Sequence, residues 1–378
     1  MFLKNMSKLK TIFNYYFADN HNFIKFWNKN RENKNIPEDL RMVIDEFSKS
    51  QSSKFVSKYW NYLNVKHLKQ IINDRGIENY ANTVALNYYT FLSTSLDMEK
   101  DLLESISGEN HISNEEINKH HSGLGLENSK NYNKIVLKLF SLIKKLNLVD
   151  KLKSISDKGF LGFNDPFLTL DSIKVTSDKL NSLLDYKKFQ ESFPNQKFNT
   201  ILEIGAGSGR FSEVFLTFNE GCKYIICDIP PSIYINYIRQ KKVFSNKKIK
   251  FCFDIKTNKE FLINLKENDI IFIFPHQIEL IENNNIDVVV AIDCIHEMEK
   301  KTIKYYFENI NRFAKMIYFS VWNKTVVPLS GPFKFLSNKL DSNSRKDYQI
   351  PKEWKMISNT KLYFPNNFRG ISYKIKNN

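Results

Sequence analysis

The spacing of hydrophobic residues changes about half-way along the 378-residue chain. Up to about residue 185, apolar positions recur with the period of an α-helix, and almost no segment alternates as a half-buried strand does. Two stripes show this helical period: Ile135, Leu139, Leu142, Ile143 and Leu146, and Tyr80, Val84, Asn87, Tyr88 and Phe91. From about residue 198, short runs rich in β-branched residues alternate with amphipathic segments. We therefore predict two domains, a mainly helical one over 1–185 and an α/β one over 186–378.

The second half of the chain has the element order of a parallel sheet covered by helices. Its strand-like runs are 200–204, 224–228, 270–274, 286–292 and 315–320, and its helical stripes are 211–218 and 303–310. Residues 354–373 predict a closing hairpin. The run 249–253 fits either an extra strand or part of a long connection. Together these elements predict a doubly wound α/β fold.

A glycine-rich loop follows the first of these strands. It reads Glu203-Ile204-Gly205-Ala206-Gly207-Ser208-Gly209 and leads into a helix, which is the context in which such a loop binds a ligand. Glycine lets the backbone turn tightly and approach a ligand closely. The spacing is G-x-G-x-G, whereas a dinucleotide-binding turn has its third glycine one place later. The loop predicts a cofactor site, and the alternative is an ordinary tight turn.

Polar side chains stand at the ends of two further strands. Asp228 ends the second strand, where a carboxylate can accept hydrogen bonds from both ribose hydroxyls. Its alternative role is that of a helix N-cap. His276 and Gln277 follow the run 270–274 and are candidates for contact with an adenine ring. A capped loop explains these two residues equally well.

A third cluster, Asp293-Cys294-Ile295-His296-Glu297-Met298, comes directly after the run 286–292. In open α/β sheets, ligands bind outside the carboxyl ends of the strands. Packing explains three ionisable side chains at that edge poorly, so Asp293, His296 and Glu297 are candidate catalytic residues. Glu297 could instead lie at the N-terminus of the following helix, where its charge is favourable.

Composition excludes several other classes of protein. No apolar run approaches the roughly 18–20 residues of a membrane span, and the start of the chain lacks the pattern of a signal peptide. We therefore expect a cytoplasmic protein without a membrane span. The four cysteines have neither the spacing of a zinc site nor that of a disulfide framework, so no metal is expected: Cys222, Cys227, Cys252 and Cys294.

Several of these segments together resemble a bacterial family of sugar O-methyltransferases found with genes for surface polysaccharides. The resemblance runs from about residue 55 to 325. It is carried by the glycine loop, by Tyr224-Ile225-Ile226-Cys227-Asp228-Ile229-Pro230, by Phe274-Pro275-His276-Gln277 and by Glu297-Met298. Upstream it is carried by Ser57-Lys58-Tyr59-Trp60, Gly76-Ile77-Glu78-Asn79-Tyr80 and Gly162-Phe163-Asn164-Asp165-Pro166. The glycine loop is common to all class I methyltransferases, and the other segments narrow the resemblance to this family.

The resemblance implies a Rossmann-like methyltransferase fold with S-adenosyl-L-methionine as cofactor and a sugar, nucleotide sugar or glycan as acceptor. The residues expected to hold the cofactor are Glu203, Gly205, Gly207, Gly209, Asp228, His276 and Gln277. A sugar hydroxyl is a weak nucleophile and gains from a general base. The family often has an aromatic or uncharged residue in place of His296, which favours Glu297. Titration near neutral pH favours His296 instead, and Asp293 could orient the base or bind the sugar.

The helical half would then cover the carboxyl edge of the sheet and shape the acceptor pocket. Its aromatic residues offer faces for stacking on a sugar, although core packing also accounts for them: Trp60, Tyr80, Tyr88 and Tyr89. Two other functions stay open. One is a methyltransferase of RNA or of another small molecule, although no Asn-Pro-Pro-Tyr/Phe motif for adenine N-methylation follows the run 286–292. The other is a catalytically silent cofactor-binding module.

The formal net charge of +15 raises the question of a nucleic-acid partner. The basic residues are scattered, and the densest pairs, Lys241-Lys242 and Lys247-Lys248, lie near the end of a predicted helix. We therefore predict no dominant nucleic-acid partner. A short single-stranded RNA titrated in fluorescence anisotropy at physiological salt should bind no more tightly than about 10⁻⁶ M, the range of non-specific attraction. Nanomolar binding with a steep salt dependence would contradict this prediction.

Overall fold

A computed structural model of the protein describes residues 20–72, 77, 115, 126–156, 166–322, 324–326, 342–344, 348–364 and 368–375. The helices in these ranges are α1 (Asn20–Asn30), α2 (Glu38–Lys49), α3 (Lys58–Gln70), α4 (Leu126–Lys145), α5 (Val149–Ser156), α6 (Ser177–Ser192), α7 (Arg210–Phe218), α8 (Ser232–Val243), α9 (Asn258–Glu267) and α10 (Lys300–Phe313). Short 3-10 helices span Gln51–Phe55, Pro275–Leu280 and Ile295–Glu297. The strands are β1 (Leu168–Leu170), β2 (Ile173–Val175), β3 (Thr200–Ile204), β4 (Lys223–Cys227), β5 (Ile249–Phe251), β6 (Ile270–Ile273), β7 (Ile286–Ile292), β8 (Ala314–Trp322), β9 (Lys324–Val326), β10 (Ser342–Ser344), β11 (Lys355–Lys361) and β12 (Phe368–Lys374).

The central feature is an eight-stranded sheet in the order β11-β12-β8-β7-β3-β4-β6-β5. The strands from β8 to β5 are parallel, and β12 and β11 close the sheet as an antiparallel hairpin. From β3 the chain continues to β4 on one side, and β7 and then β8 lie on the other, so the topology switches at β3. This arrangement confirms the predicted doubly wound α/β fold.

Helices cover both faces of this sheet, because its central strands are apolar on both sides. Along β3, Ile201 packs into one core cluster and Leu202 into the other. The first cluster contains residues of α6, α7 and α8 together with the helices of the N-terminal region. The second contains residues of α9 and α10. Two-sided burial explains why the parallel strands are continuous apolar runs in the sequence.

Most predicted elements of the second half are confirmed with small shifts of their ends. The ambiguous run 249–253 forms β5, an edge strand that pairs with β6 in parallel. The stripe 303–310 belongs to α10, and the tail 354–373 supplies β11 and β12. Strand β7 pairs with β3 in parallel. The predicted helix around 80–91 and the upstream segments 76–80 and 162–165 lie almost wholly outside the described residues.

The N-terminal region is helical where it is described, apart from the short antiparallel hairpin of β1 and β2. The predicted domain boundary at residue 185 falls inside α6, a continuous helix that packs against α4, α5 and α7. The two-domain division stays a prediction, and a cut between the two parts would have to fall before residue 177. No helix in the described ranges is long and apolar enough to cross a membrane.

The segment from α2 to α3 lies against the carboxyl edge of the sheet. Phe47 packs edge-on against Phe274 with ring centroids 5.3 Å apart. Phe55 stacks on Tyr305 at 4.1 Å. These contacts bring residues 47–60 to the edge at which β6 and β7 end, so the side chains of this segment can contribute to whatever binds there.

Candidate functional site

The glycine loop leaves β3 at the switch point of the sheet, which is where open α/β sheets bind ligands. Gly205, Gly207 and Gly209 have φ angles of 66°, 56° and 85°. This left-handed region costs a residue with a Cβ free energy, whereas glycine adopts it readily. The loop conformation therefore requires the glycine spacing that the sequence shows.

Close packing gives a second reason for two of these glycines. A Cβ on Gly205 would lie 2.5 Å from the Cβ of Cys294, which belongs to the turn after β7. A Cβ on Gly209 would collide with the side chains of Asn236 and Gln240 on α8. Cys294 Sγ also donates to the carbonyl oxygen of Ile204 at 3.1 Å. The loop is thus in contact with the cluster 293–297 that the sequence singled out.

Asp228 lies across from this loop at the end of β4. Its Oδ2 accepts a hydrogen bond from the Gly207 amide at 2.6 Å, and its Oδ1 accepts one from the Ile229 amide at 2.7 Å. Burial raises the pKa of Asp228 to about 7, against the opposing effect of these two hydrogen bonds. The alternative role as helix cap is wrong, because the N-cap of α8 is Pro231. Each carboxylate oxygen keeps a further lone pair for a ligand hydroxyl.

Glu203 is buried beneath the loop with 1% of its surface exposed. The Tyr224 hydroxyl on β4 donates to its Oε2 at 2.9 Å. Burial raises the pKa of Glu203 to about 8, and the Tyr224 hydrogen bond acts in the opposite direction. This hydrogen bond joins the carboxyl end of β3 to the first part of β4.

His276 and Gln277 lie in the 3-10 turn after β6, the strand next to β4. The Gln277 amide donates to the carbonyl oxygens of Cys252 and Ile255 at 2.8 and 3.2 Å. Its Oε1 accepts from the Phe274 amide at 2.8 Å. Gln277 therefore holds the loop after β5 in place from a fully buried position.

His276 is half-buried and contacts the N-terminal region. Its Nδ1 lies 2.7 Å from the Oγ of Ser52, which also accepts from the His276 backbone amide at 3.1 Å. Burial lowers the pKa of His276. Ser52 carries no sequence motif, so its place at this edge could not be predicted.

Asp293 adopts a φ of 54° and is held by the side chains of two neighbours. Ser320 Oγ on β8 donates to its Oδ1 at 2.8 Å, and Arg210 Nη2 donates to its Oδ2 at 2.9 Å. Arg210 Nη1 donates to Asp185 Oδ2 at 2.7 Å. Arg210 therefore bridges two carboxylates, one on α6 and one after β7.

Burial and charge act in opposite directions in this triad, in which Asp185 is buried and Arg210 and Asp293 are partly buried. Burial raises the pKa of Asp185 to about 7 and also raises the pKa of Asp293, while the Arg210 guanidinium opposes both shifts. Neither Arg210 nor Asp185 is predicted as a site residue from the sequence. A charged residue directly after the last glycine of the loop was the available signal for Arg210.

His296 is a packed aromatic residue with 3% of its surface exposed. Its ring stacks on Trp322 at 5.5 Å with an interplanar angle of 11°, and Phe368 meets it edge-on. Burial lowers the pKa of His296 to about 3. The expected titration near neutral pH is therefore not found, because the protonated ring would lose its hydration at this position.

Glu297 is about as exposed as Asp293, whose side chain is 17% exposed, but it is not paired with Arg210. Its side chain is 18% exposed, and Trp60 Nε1 on α3 donates to its Oε2 at 3.2 Å. Its Oε1 lies 3.9 Å from His296 Nε2. The N-cap of α10 is Glu299, so Glu297 does not cap that helix. The N-terminal region thus supplies a direct partner of the predicted base.

The structure brings the sequence-predicted residues to one edge of the sheet. The glycine loop contacts both Asp228 and the cluster 293–297, and His276 and Gln277 end the strand beyond β4. In the described ranges, no three His, Cys, Asp or Glu side chains are arranged to hold a metal ion. All four cysteines are free and buried.

No protein-family model matches this chain, and no curated protein matches it. Solved structures with a similar fold include a geranyl diphosphate methyltransferase in complex with SAM (TM-score 0.36, 10% identity), over 53% of this chain and 88% of that chain. The pyocyanin biosynthetic protein PhzM (TM-score 0.33, 11% identity) matches over 52% of this chain and 56% of its own. A SAM-dependent methyltransferase from Aquifex aeolicus (TM-score 0.31, 14% identity) matches over 52% of this chain and 92% of its own. Because the TM-scores are low and about half of this chain is covered, the chemistry has to be inferred from the site.

We predict that Arg210→Met lowers the free energy of unfolding by about 3–5 kcal/mol, because it leaves the buried Asp185 and the partly buried Asp293 without their counter-ion. Chemical denaturation should show the loss. The triple variant Asp185→Asn, Arg210→Met, Asp293→Asn should regain most of it.

The control is Lys315→Met. Lys315 makes an ion pair of 2.7 Å with Asp287, but its side chain is 51% exposed, so its removal should cost less than about 1 kcal/mol. If Arg210→Met is no more destabilising than Lys315→Met, the triad does not hold the turn after β7.

Proposed function

We propose that the protein is an S-adenosylmethionine-dependent O-methyltransferase whose cofactor lies across the ends of β3, β4 and β7. One observation carries the proposal: the Asp228 carboxylate is hydrogen-bonded to the middle glycine of a left-handed loop at the switch point of the sheet. A nucleoside needs this combination of close backbone approach and a carboxylate for its ribose hydroxyls. The glycines 205, 207 and 209 would give the approach, and Glu203 would support the loop from below.

The residues beyond β4 suit the other parts of such a cofactor. The turn that carries His276 would flank the adenine, with Gln277 fixing the shape of that turn through its bonds to the loop after β5. When bound, the cofactor supplies an electrophilic methyl group, so the protein has to position the acceptor and remove its proton.

Glu297 is the general base in this proposal. Asp293 is engaged by Arg210 and Ser320, and His296 is buried and neutral. Glu297 is partly exposed, lies in the turn that contacts the glycine loop and has its carboxylate oriented by Trp60. It would accept the hydroxyl proton as the oxygen attacks the methyl group. Asp293 would be a positioning residue for this turn.

The acceptor is proposed to be a sugar hydroxyl, in a free sugar, a nucleotide sugar or a glycan. A carboxylate beside an indole edge suits a sugar, because the carboxylate binds hydroxyls and the aromatic ring packs against C–H groups. The resemblance of the segments 224–230 and 274–277 to sugar O-methyltransferases supports the same acceptor. We propose that the protein acts in the cytoplasm in the synthesis of a surface polysaccharide.

The raised pKa of Asp228, about 7, makes cofactor affinity depend on pH. The carboxylate accepts ribose hydroxyl hydrogens when ionised and loses this ability when protonated. The dissociation constant of S-adenosylhomocysteine in calorimetry should therefore rise about tenfold between pH 8 and pH 6.

The control distinguishes the titration of Asp228 from that of Glu203, whose pKa is raised to about 8. Asp228→Asn should bind weakly and without this pH step, whereas Glu203→Gln should keep it. Unchanged affinity in a folded Asp228→Asn variant, or in Gly207→Val, would remove the cofactor assignment.

Glu297→Gln should lower turnover by about 10²–10⁴-fold, the usual contribution of a general base, with normal affinity for S-adenosylhomocysteine. Turnover is measured as the transfer of a labelled methyl group from the cofactor to nucleotide sugars, neutral oligosaccharides, phenols and RNA. Glu299→Gln is the matched control, because Glu299 lies two residues away and has no side-chain capping bond. If Glu297→Gln turns over like the wild type, the base lies elsewhere.

A further inference from the structure

The inward face of α3 is polar, which is unusual for a buried helix face. Trp60, Asn64 and His67 stand at positions i, i+4 and i+7, so they lie on one face of the helix. The rings of Trp60 and His67 are in contact, with centroids 6.5 Å apart. Asn64 and His67 are 1% and 0% exposed. We call these three residues the α3 polar face.

One buried polar atom on this face is not satisfied within the described part of the protein. The Asn64 Oδ1 has no hydrogen-bond partner there. A buried polar atom without a partner is costly, and proteins retain such atoms where a ligand or an ordered water meets them. The atom lies on the same helix face as Trp60, whose indole donates to Glu297. The unmet hydrogen-bonding capacity therefore lies one helical turn from the residue that contacts the proposed base.

We propose that the α3 polar face is the acceptor subsite of this enzyme and that it takes a neutral, polyhydroxylated ligand without phosphate. An amide and a neutral imidazole each donate and accept hydrogen bonds, and so does a sugar hydroxyl. Burial and the neighbouring Lys66 lower the pKa of His67 to about 3, so its ring stays neutral.

The three described residues of this face supply no cation, which disfavours an anionic ligand. Positions 60, 64 and 67 carry no Lys or Arg. Lys66 lies about 100° round the helix from His67, with its Nζ 4.3 Å from the centroid of the Tyr62 ring. A phosphate or diphosphate needs cations or several backbone amides. The face accordingly suits the sugar part of an acceptor.

The helix geometry sets the reach of this subsite. Asn64 stands about 6 Å along the axis from Trp60, and His67 stands about 10 Å along it. A ligand hydroxyl bound by Asn64 would leave a neighbouring hydroxyl of the same ring close to Glu297. A second sugar unit would reach His67. The face would thus choose which hydroxyl is presented to the base.

This inference rests on the proposed function, so its test uses binding without cofactor or turnover. Saturation-transfer-difference NMR of the full-length protein would use methyl α-glycosides of glucose, galactose, mannose and rhamnose, maltotriose, and glucose 1-phosphate as the anionic comparison. The wild type should bind at least one neutral ligand, and glucose 1-phosphate less well. Asn64→Leu and His67→Phe should each weaken that binding about tenfold, the loss expected for one hydrogen bond.

Stability distinguishes a binding role from a structural one. Asn64→Leu replaces an unsatisfied amide by an apolar group of similar size, so its melting temperature should equal or exceed that of the wild type. A matched control is Asn264→Leu on α9, which removes a buried amide that donates to Glu260; it should leave sugar binding unchanged. His67→Phe keeps an aromatic ring against Trp60. It takes the place of Asn64→Leu in the binding test if that variant does not fold.

Three results would overturn the inference: no neutral ligand binds, the variants bind like the wild type, or glucose 1-phosphate binds best. Affinity for S-adenosylhomocysteine is measured in parallel and should not change in any of these variants. Sugar binding without any affinity for S-adenosylhomocysteine would refute the proposed function while leaving the subsite in place.

Discussion

The geometry of the site depends on the ion pairs that the Arg210 guanidinium makes with two carboxylates. Arg210 stands at the first position of the helix after the glycine loop and bonds to carboxylates that come from α6 and from the turn after β7. A buried cation between two carboxylates fixes their directions, because neither can leave without exposing an unpaired charge to an apolar interior. The loop that would hold a cofactor and the turn that carries the proposed base are therefore tied to the same side chain. A displacement of the glycine loop would therefore displace the turn after β7, and the reverse.

The neighbouring residues His296 and Glu297 show how burial divides roles within one short turn. The imidazole is enclosed by Trp322 and Phe368, and its proton affinity falls accordingly. The next side chain points to a less enclosed position and meets an indole N–H. Only the second has a neighbour that donates a hydrogen bond to a carboxylate, the Trp60 indole. Local packing, not residue type, therefore separates an aromatic support from a candidate base.

The parallel strands and the glycine loop could be predicted from the sequence because the signals are local. A strand buried on both faces is a continuous apolar run, and a left-handed loop demands glycine. The partners of Arg210 could not be predicted, because they lie 25 and 83 residues away. Asp185 is also concealed by its helix, whose buried face contains Asn181 and Ser182. Ion pairs between distant segments leave no repeating pattern in the sequence, so they become visible only in the folded structure.

The hydrogen bonds from Ser52 and Trp60 to the sheet edge span 224 and 237 residues of chain. During synthesis the N-terminal helices emerge from the ribosome long before β6 and β7 exist. Phe274 and Tyr305, against which Phe47 and Phe55 pack, are made only after most of the chain has been synthesised. Assembly of the site is thus a late folding event. A prematurely terminated chain would lack the surface on which these helices rest, and it could not form a partial catalyst.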